Sequence, residues 1–261
     1  MKGSLLRVAA GLLAVTATLG ADAPPSVPVR TSRGEFQVLL YRPATPDPDK
    51  PLVFMISGEG GWRAFDVRLS QILSEAGYWV GGMDATKYFW DPQDDRQALA
   101  SDVRAYVAAL AASAGRPPDT PVVLAGFSFG ADLAPWIAGA GGWDERVAAL
   151  VMVGPDTTGS LQFRILEILG FEEAEHVFSV AEALRSAAGI PIVLVHGEKD
   201  AESAAPALEA RAPQPKRLVV IPGADHHFSG RTEELRRELL AALGWALSPH
   251  GGARSDRRRE P

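Results

Sequence analysis

The stretch VVLAGFSFGADL at residues 122–133 decides the fold of this 261-residue chain. Residues 122–125 are all apolar, which is typical of a strand buried on both faces, and residues 128–138 have the pattern of a helix. Between them, Gly126-x-Ser128-x-Gly130 places a serine at the turn, with a glycine two positions away on either side. Such a turn exposes the serine oxygen above the sheet, at a helix N-terminus that favours developing negative charge. The stretch predicts a nucleophile elbow at Ser128, and an inert serine in a tight turn is the alternative.

Apolar runs of the same kind recur along the chain on both sides of this stretch. They predict strands at residues 35–41, 52–57, 78–83, 121–126, 147–153, 191–196 and 217–221. Helical patterns lie between them, the clearest at residues 64–76, 94–114, 128–138 and 233–247. Apolar strands that alternate with helices indicate a mostly parallel sheet covered on both faces. We therefore predict one doubly wound α/β domain with a short helical insert at about residues 156–188.

The two ends of the chain differ from this domain. Lys2 and Arg7 precede a twelve-residue apolar stretch at 8–19 and then small residues, a pattern typical of a cleaved secretory signal peptide. The stretch is too short for a membrane-spanning anchor, and no later run of eighteen apolar residues occurs. We expect a signal peptide at 1–21, a Pro-rich lead-in at 22–34, the α/β domain at 35–247 and a disordered basic tail at 248–261.

Charge and composition exclude several classes of function. The formal net charge is −6, which argues against nucleic acid as a partner because phosphate binding needs clustered Lys and Arg. The absence of cysteine excludes disulfides, thiolate metal sites and a cysteine nucleophile. We expect neither a metal nor another cofactor.

A serine nucleophile needs a base, and the base needs an acid that fixes its tautomer. His226 and His227 follow the predicted strand at 217–221, at the edge of the sheet where active sites of open α/β sheets lie. We favour His226 as the base and keep His227 as the alternative. Asp200 follows the strand at 191–196, and the order Ser128, Asp200, His226 is that of α/β-hydrolases. Rival acids in neighbouring loops are Glu198, Glu202 and Asp156.

Acyl transfer also needs hydrogen-bond donors for the oxyanion. One is predicted to be the backbone N–H of Phe129, the residue after the serine. The other is predicted in the loop at 58–62, GEGGW, with Glu59 N–H as the donor. A plain glycine-rich turn is the alternative for this loop, and no Gly-Lys-Ser/Thr follows that would make it a phosphate loop.

Four stretches together resemble the VirJ/AcvB family of bacterial periplasmic virulence proteins. They are ISGEGGW at 56–62, KYFW at 87–90, GFSFGAD at 126–132 and PGADHHF at 222–228. The resemblance extends to about residue 247 and implies an α/β-hydrolase fold. Two departures are Glu59, where the family usually has Asp, and ESAA at 202–205, where a cysteine is often found.

The resemblance also implies a function. Members similar to AcvB are associated with hydrolysis of aminoacylated phosphatidylglycerol, especially the lysyl form, on the periplasmic side of the inner membrane. On this basis we expect an exported serine hydrolase whose nucleophile, acid and base are Ser128, Asp200 and His226. Alternatives are a generic periplasmic carboxylesterase, and a non-enzymatic binding or chaperone protein linked to secretion-system proteins.

Several residues are expected to contact such a substrate. The Glu59 carboxylate could pair with the ammonium groups of the aminoacyl ester, and aromatic side chains could flank the aminoacyl chain or touch lipid. Packing at the edge of the sheet is the alternative for the aromatic residues at 88–90, and a solvated tail is the alternative to headgroup contact by arginines 257–259. The expected contact residues are Gly60, Trp62, Tyr88, Trp90 and His227.

Overall fold

The computed structural model describes residues 24–143, 145–162 and 176–249. The predicted signal peptide, and the predicted tail from residue 250 onward, lie outside the described residues. Within the described ranges, no helix is both long and apolar enough to cross a membrane.

Eight strands of the described chain form one sheet. They are β1 (Ser26–Thr31), β2 (Gly34–Tyr41), β3 (Leu52–Ile56), β4 (Val80–Met83), β5 (Val122–Phe127), β6 (Val147–Val153), β9 (Ile192–Gly197) and β10 (Lys216–Ile221). Their order across the sheet is β1-β2-β4-β3-β5-β6-β9-β10. β2 is antiparallel to both of its neighbours, and the six strands from β4 to β10 run parallel. Every residue of β3 and β5 is buried, which explains why these strands are wholly apolar or glycine.

Helices cover both faces of the sheet. They are α1 (Ala64–Glu75), α2 (Ala85–Tyr88), α3 (Arg96–Ser113), α4 (Phe129–Ala138), α5 (Val180–Ser186), α6 (Ala205–Arg211) and α7 (Thr232–Leu247). Residues of α3 to α6 form one hydrophobic core with one face, and residues of α1 and α7 form a second core with the other. The predicted α/β-hydrolase fold with a mostly parallel, doubly wound sheet is therefore confirmed.

Two segments contain strands that the sequence did not predict. Residues 26–31, placed in the Pro-rich lead-in, form edge strand β1, because Val29 packs into the core and an edge strand tolerates Pro28. The described part of the insert at 156–188 contains helix α5 and, before it, the antiparallel strands β7 (Thr158–Ser160) and β8 (Val177–Ser179). Gly159 leaves room for the ring of Phe178, which stacks on Trp136 with ring centroids 4.4 Å apart. Residues 163–175 of the insert lie outside the described residues.

Candidate active site

Ser128 lies at the turn between β5 and α4, with φ of 50° and ψ of −120°. A non-glycine residue held in such a conformation stores about 1–3 kcal/mol of strain. A Cβ atom on Gly126 would lie 2.1 Å from the Gly130 carbonyl oxygen, and one on Gly130 would lie 2.2 Å from that of Ile56. The Ser128 N–H donates to the Val153 carbonyl oxygen in β6 at 2.9 Å. The turn is therefore strained and tightly packed. Positions 126 and 130 must be glycine because any side chain there would clash with neighbouring backbone atoms.

An acid and a base meet where β9 and β10 end. These strands are parallel neighbours, so the loops that follow them lie side by side. Nδ1 of His226 lies 2.8 Å from Oδ2 of Asp200, and the Asp200 side chain is fully buried. Oδ1 of Asp200 accepts the N–H groups of Glu202 and Ser203 at 3.0 and 3.1 Å. This arrangement favours the tautomer of His226 that donates from Nδ1 and keeps Nε2 as a proton acceptor.

The rival residues make other contacts, and the N–H of the rival Glu202 donates to Asp200 itself. The Glu198 carboxylate accepts the Gly223 N–H at 2.7 Å, and Asp156 is exposed and accepts the N–H of Thr157. The ring of His227 packs edge-on against Phe127 and Phe65. Of the predicted alternatives, the structure pairs His226 with Asp200.

Ser128 and His226 line the same cavity, whose volume is about 220 Å³. The cavity also contains the predicted contact residues Glu59, Gly60 and His227. Its other walls come from Gly58, Gly61, Arg63, Ala64, Phe65, Asp66, Phe127 and Glu202. The nucleophile, the base and the glycine loop predicted from sequence are therefore brought together around one space.

The backbone N–H groups of Glu59 and Phe129 follow two adjacent parallel strands, β3 and β5. Phe129 is the first residue of α4, so its N–H has no partner within the helix. Neither N–H donates to another residue of the described chain. Both are free to donate to an oxygen that develops negative charge beside Ser128.

Acidic side chains outnumber basic ones around the cavity. Glu59 is exposed at the rim, whereas Asp66 is buried in the wall, and burial raises the pKa of its carboxyl to about 6. Asp132, one turn after Ser128, is also buried, and burial raises its pKa well above the usual range. Its Oδ1 accepts the N–H of Asp156 at 2.9 Å, which ties α4 to the loop after β6. The charged side chains that line the cavity are Glu59, Asp66 and Glu202, with Arg63 opposing them, and Asp132 lies outside its lining.

Trp62 does not line this cavity, contrary to the sequence prediction. Its ring lies against Gly82, where an added Cβ would be 2.2 Å from the indole, and its Nε1 donates to the Tyr41 hydroxyl at 2.9 Å. Trp62 lines a separate space of about 440 Å³ with residues of β2. Because Gly82 has no side chain, the Trp62 ring can pack directly on the backbone of β4.

The predicted contact of Tyr88 is also corrected, whereas contact of Trp90 with lipid stays a prediction. Tyr88 is buried, and its hydroxyl donates to Oδ2 of Asp102 at 2.6 Å, so it is part of the core between α2 and α3. Trp90 is 65% exposed and is not among the residues of the cavity. The alternative of packing at the edge of the sheet is the one that Tyr88 adopts.

Sequence reasoning missed Asp66 and Arg63. The Arg63 N–H donates to Oδ2 of Asp66 at 2.9 Å, which is half of a capping box at the start of α1. The sequence does contain the capping pattern, an acidic residue three positions after the N-cap of the helix. That pattern predicts a helix start and does not predict that the carboxylate lies in the wall of a cavity. Among the described residues, no group of three His, Asp or Glu side chains could hold a metal ion.

Solved structures with the same fold are α/β-hydrolases. An α/β serine hydrolase homologue from Coxiella burnetii is 22% identical, with a TM-score of 0.57, over 84% of this chain and 97% of that one. The esterase domain of a Rhodothermus marinus protein is 19% identical, with a TM-score of 0.59 and the same coverage. Dienelactone hydrolase from Anabaena variabilis is 21% identical, with a TM-score of 0.57, over 85% and 96% of the two chains.

Family membership rests on the sequence itself. The sequence model of a family described as "Bacterial virulence protein (VirJ)" matches residues 50–246. This range runs from just before β3 to the last turn of α7 and includes the elbow, the acid loop and the histidine loop. No curated protein sequence matches the chain significantly.

Proposed function

Because the chain belongs to the VirJ family of bacterial virulence proteins, we propose that it is a serine hydrolase that cleaves the aminoacyl ester of aminoacyl-phosphatidylglycerol, with the lysyl form favoured. One observation carries the proposal. Ser128, on a strained elbow, shares a cavity with His226, whose Nδ1 lies 2.8 Å from the buried Asp200. A binding protein has no use for a strained serine beside an oriented base, which argues against the non-enzymatic alternative.

The first half of the proposed reaction forms an acyl-enzyme. Oγ of Ser128 attacks the ester carbonyl carbon while Nε2 of His226 takes the hydroxyl proton. The N–H groups of Glu59 and Phe129 donate to the oxyanion of the tetrahedral intermediate. The intermediate collapses as His226 returns the proton to the glycerol oxygen, which releases phosphatidylglycerol and leaves the aminoacyl group on Ser128.

The second half regenerates the enzyme. A water molecule gives a proton to Nε2 of His226 and attacks the acyl carbon, and the same N–H groups hold the second oxyanion. Breaking the bond to Ser128 releases the free amino acid, and His226 returns the proton to the serine oxygen. Asp200 accepts the hydrogen bond from Nδ1 and stabilises the imidazolium that forms in each half.

The size and charge of the cavity suit a small cationic acyl group. Its volume of about 220 Å³ is below the roughly 300–1,000 Å³ of pockets that enclose drug-sized ligands, so one aminoacyl group fits and a whole phospholipid does not. Glu59, Asp66 and Glu202 make its surroundings attractive to ammonium groups, with Arg63 as the opposing cation. A generic carboxylesterase would not need this excess of carboxylates.

A location and a partner are proposed from the sequence. The pattern at 1–21 supports export by a cleaved signal peptide, so we propose that the mature protein acts in the periplasm. Its partner would be aminoacylated phospholipid at the membrane surface, whose headgroups the arginines at 257–259 could approach. The non-enzymatic alternative would instead require secretion-system proteins as partners.

The test is release of lysine from lipid. Purified protein is mixed with vesicles that contain lysyl-phosphatidylglycerol, and free lysine and phosphatidylglycerol are quantified by mass spectrometry, with Ser128→Ala as the control. We expect release that depends on Ser128. Cleavage of p-nitrophenyl esters without release from lipid would support the generic esterase instead. No turnover of either substrate, together with no labelling of Ser128 by a fluorophosphonate, would refute the hydrolase.

A further inference from the structure

Asp66 lies in the first turn of α1, directly after the glycine loop, and it forms part of the wall of the cavity that contains Ser128. The residue is 2% exposed. Oδ2 accepts the Arg63 N–H at 2.9 Å, whereas Oδ1 has no hydrogen-bond partner among the described residues. A capping role therefore accounts for the hydrogen bond of one oxygen of this carboxylate, and the other oxygen has only nearby backbone N–H groups, such as that of Gly58, and no hydrogen bond within the described chain.

The surroundings of Asp66 do not neutralise its charge. The Arg63 side chain donates from Nε to the Gly60 carbonyl oxygen at 2.6 Å rather than to the carboxylate. Burial raises the pKa of the Asp66 carboxyl, the backbone N–H groups of Arg63, Gly58 and Asp66 itself lower it, and the negative charge of Asp84 after β4 adds to the effect of burial. The Tyr41 hydroxyl on β2 is also near enough to be affected by the Asp66 charge. A buried carboxylate oxygen that lacks a partner is costly to the fold, so a ligand that supplies a positive donor would be bound strongly.

We propose that Asp66 is a specificity-determining residue that binds the α-ammonium group of the substrate's aminoacyl moiety within the cavity. The α-ammonium group is two bonds from the carbonyl carbon that Ser128 attacks. The glycine loop that would hold the carbonyl oxygen runs directly into the helix that carries Asp66. The proposal rests on the proposed function and divides the recognition of lysine: Asp66 binds the α-ammonium group, and the exposed Glu59 faces the side-chain amine.

This assignment of the two ammonium groups to Asp66 and Glu59 predicts which substrates depend on Asp66. Esters of alanine have an α-ammonium group and no side-chain amine, so they should depend on Asp66. The matched uncharged substrate is ethyl 2-methylpropanoate, in which a methyl group replaces the ammonium group of alanine ethyl ester. Comparing this pair separates charge recognition from shape.

The experiment measures kcat/KM for the two ethyl esters with the wild-type protein and with Asp66→Asn. Asparagine keeps an acceptor for the Arg63 N–H and removes the charge. We expect the preference for alanine ethyl ester over ethyl 2-methylpropanoate to fall about thirtyfold, which corresponds to about 2 kcal/mol. The control is Glu75→Gln, which removes a carboxylate from the far end of the same helix and should leave the preference unchanged. An equal loss on both esters would show that Asp66 only holds the loop, and no loss on either would also overturn the proposal.

A wild-type protein that cleaves neither ester would count against the hydrolase, not against this binding site. Binding of alaninamide to Ser128→Ala, measured by calorimetry, then decides for Asp66: binding that Asp66→Asn abolishes supports the proposal, and absence of binding to Ser128→Ala refutes it.

If Asp66→Asn fails to fold, the wild-type protein provides a further measurement. Because burial raises the pKa of Asp66 to about 6, its carboxylate is ionised above that pH and protonated below it. The preference for alanine ethyl ester should fall as the pH drops from 7 to 5, whereas a loss of activity common to both esters cancels in the ratio. A ratio that stays constant over this range would overturn the proposal.

Discussion

Replacing Asp200 with Asn tests whether the acid sets the tautomer of the base. Oδ1 of Asp200 accepts two backbone N–H groups, from Glu202 and Ser203, and Oδ2 faces Nδ1 of His226. The amide of Asn has one oxygen and one NH₂ group. The two N–H donors require the oxygen, since the opposite orientation would place donors against donors, so the NH₂ group must face His226. Nδ1 then has to accept a hydrogen bond, which moves the proton to Nε2.

A base that carries its proton on Nε2 cannot take the proton of Ser128. The same replacement in a serine protease triad, made at its own Asp, lowers kcat about 10⁴-fold, and we expect a loss of this size here, equivalent to about 5.4 kcal/mol. The packing should be little changed, because Asn has almost the same shape as Asp. The assay is kcat for an activated ester between pH 6 and 9, with the midpoint of thermal unfolding measured alongside.

The matched control is Glu198→Gln, two residues earlier in the same loop. Glu198 is exposed and accepts the Gly223 N–H, which glutamine can also accept, so a loss of less than about threefold is expected, well under 1 kcal/mol. A folded Asp200→Asn protein that retains more than a tenth of wild-type activity would refute the reasoning, because the base would then be oriented without this carboxylate.

Five further substitutions test the rest of the site. Ser128→Ala should lower ester hydrolysis by 10³-fold or more, on the order of losses seen in other triads, and folded protein with near-normal turnover would exclude Ser128 as nucleophile. Ser128→Gly should be as inactive yet more stable by about 1 kcal/mol, since glycine adopts the strained φ and ψ freely; an unchanged or lower unfolding midpoint would contradict this. His226→Ala should match the loss of Ser128→Ala while His227→Ala costs much less, and the reverse ranking in kcat would move the base by one residue. Glu59→Gln should slow hydrolysis of lysyl esters roughly ten- to hundredfold and neutral esters far less; equal losses would mean that Glu59 only shapes the loop.

The sequence predicted the parallel part of the sheet well because those strands are buried on both faces. Their apolar runs end at glycine, proline or polar residues, and the predicted limits lie within two residues of the observed ones. β1 was missed because Pro28 is unfavourable in most strands, and only its edge position makes it acceptable. β7 and β8 were missed because three residues are too few to show a period, and their pairing depends on Phe178 fitting over Gly159.

The centre of the site was predictable, and its walls were not. Ser128, Asp200 and His226 are each next to a strand end, so the order of the strands alone brings their loops to one edge. Tyr88 was misassigned because its burial depends on Asp102, on a different helix. The role of Asp66 depends on burial and on an unpaired oxygen, and neither property can be read from the pattern of the residues around it.

The sheet gives the nucleophile and its partners unequal protection. Ser128 follows β5, which is buried along its whole length. His226 follows β10, an edge strand that pairs only with β9. Val220 of β10 is 45% exposed. Detachment of β10 would withdraw the histidine and leave the elbow intact, and such partial openings require less free energy than complete unfolding. The rate at which the protein loses activity would then depend on how strongly β10 is bound by its neighbours α7 and β9. Substitutions that stabilise the centre of the sheet would leave that rate unchanged.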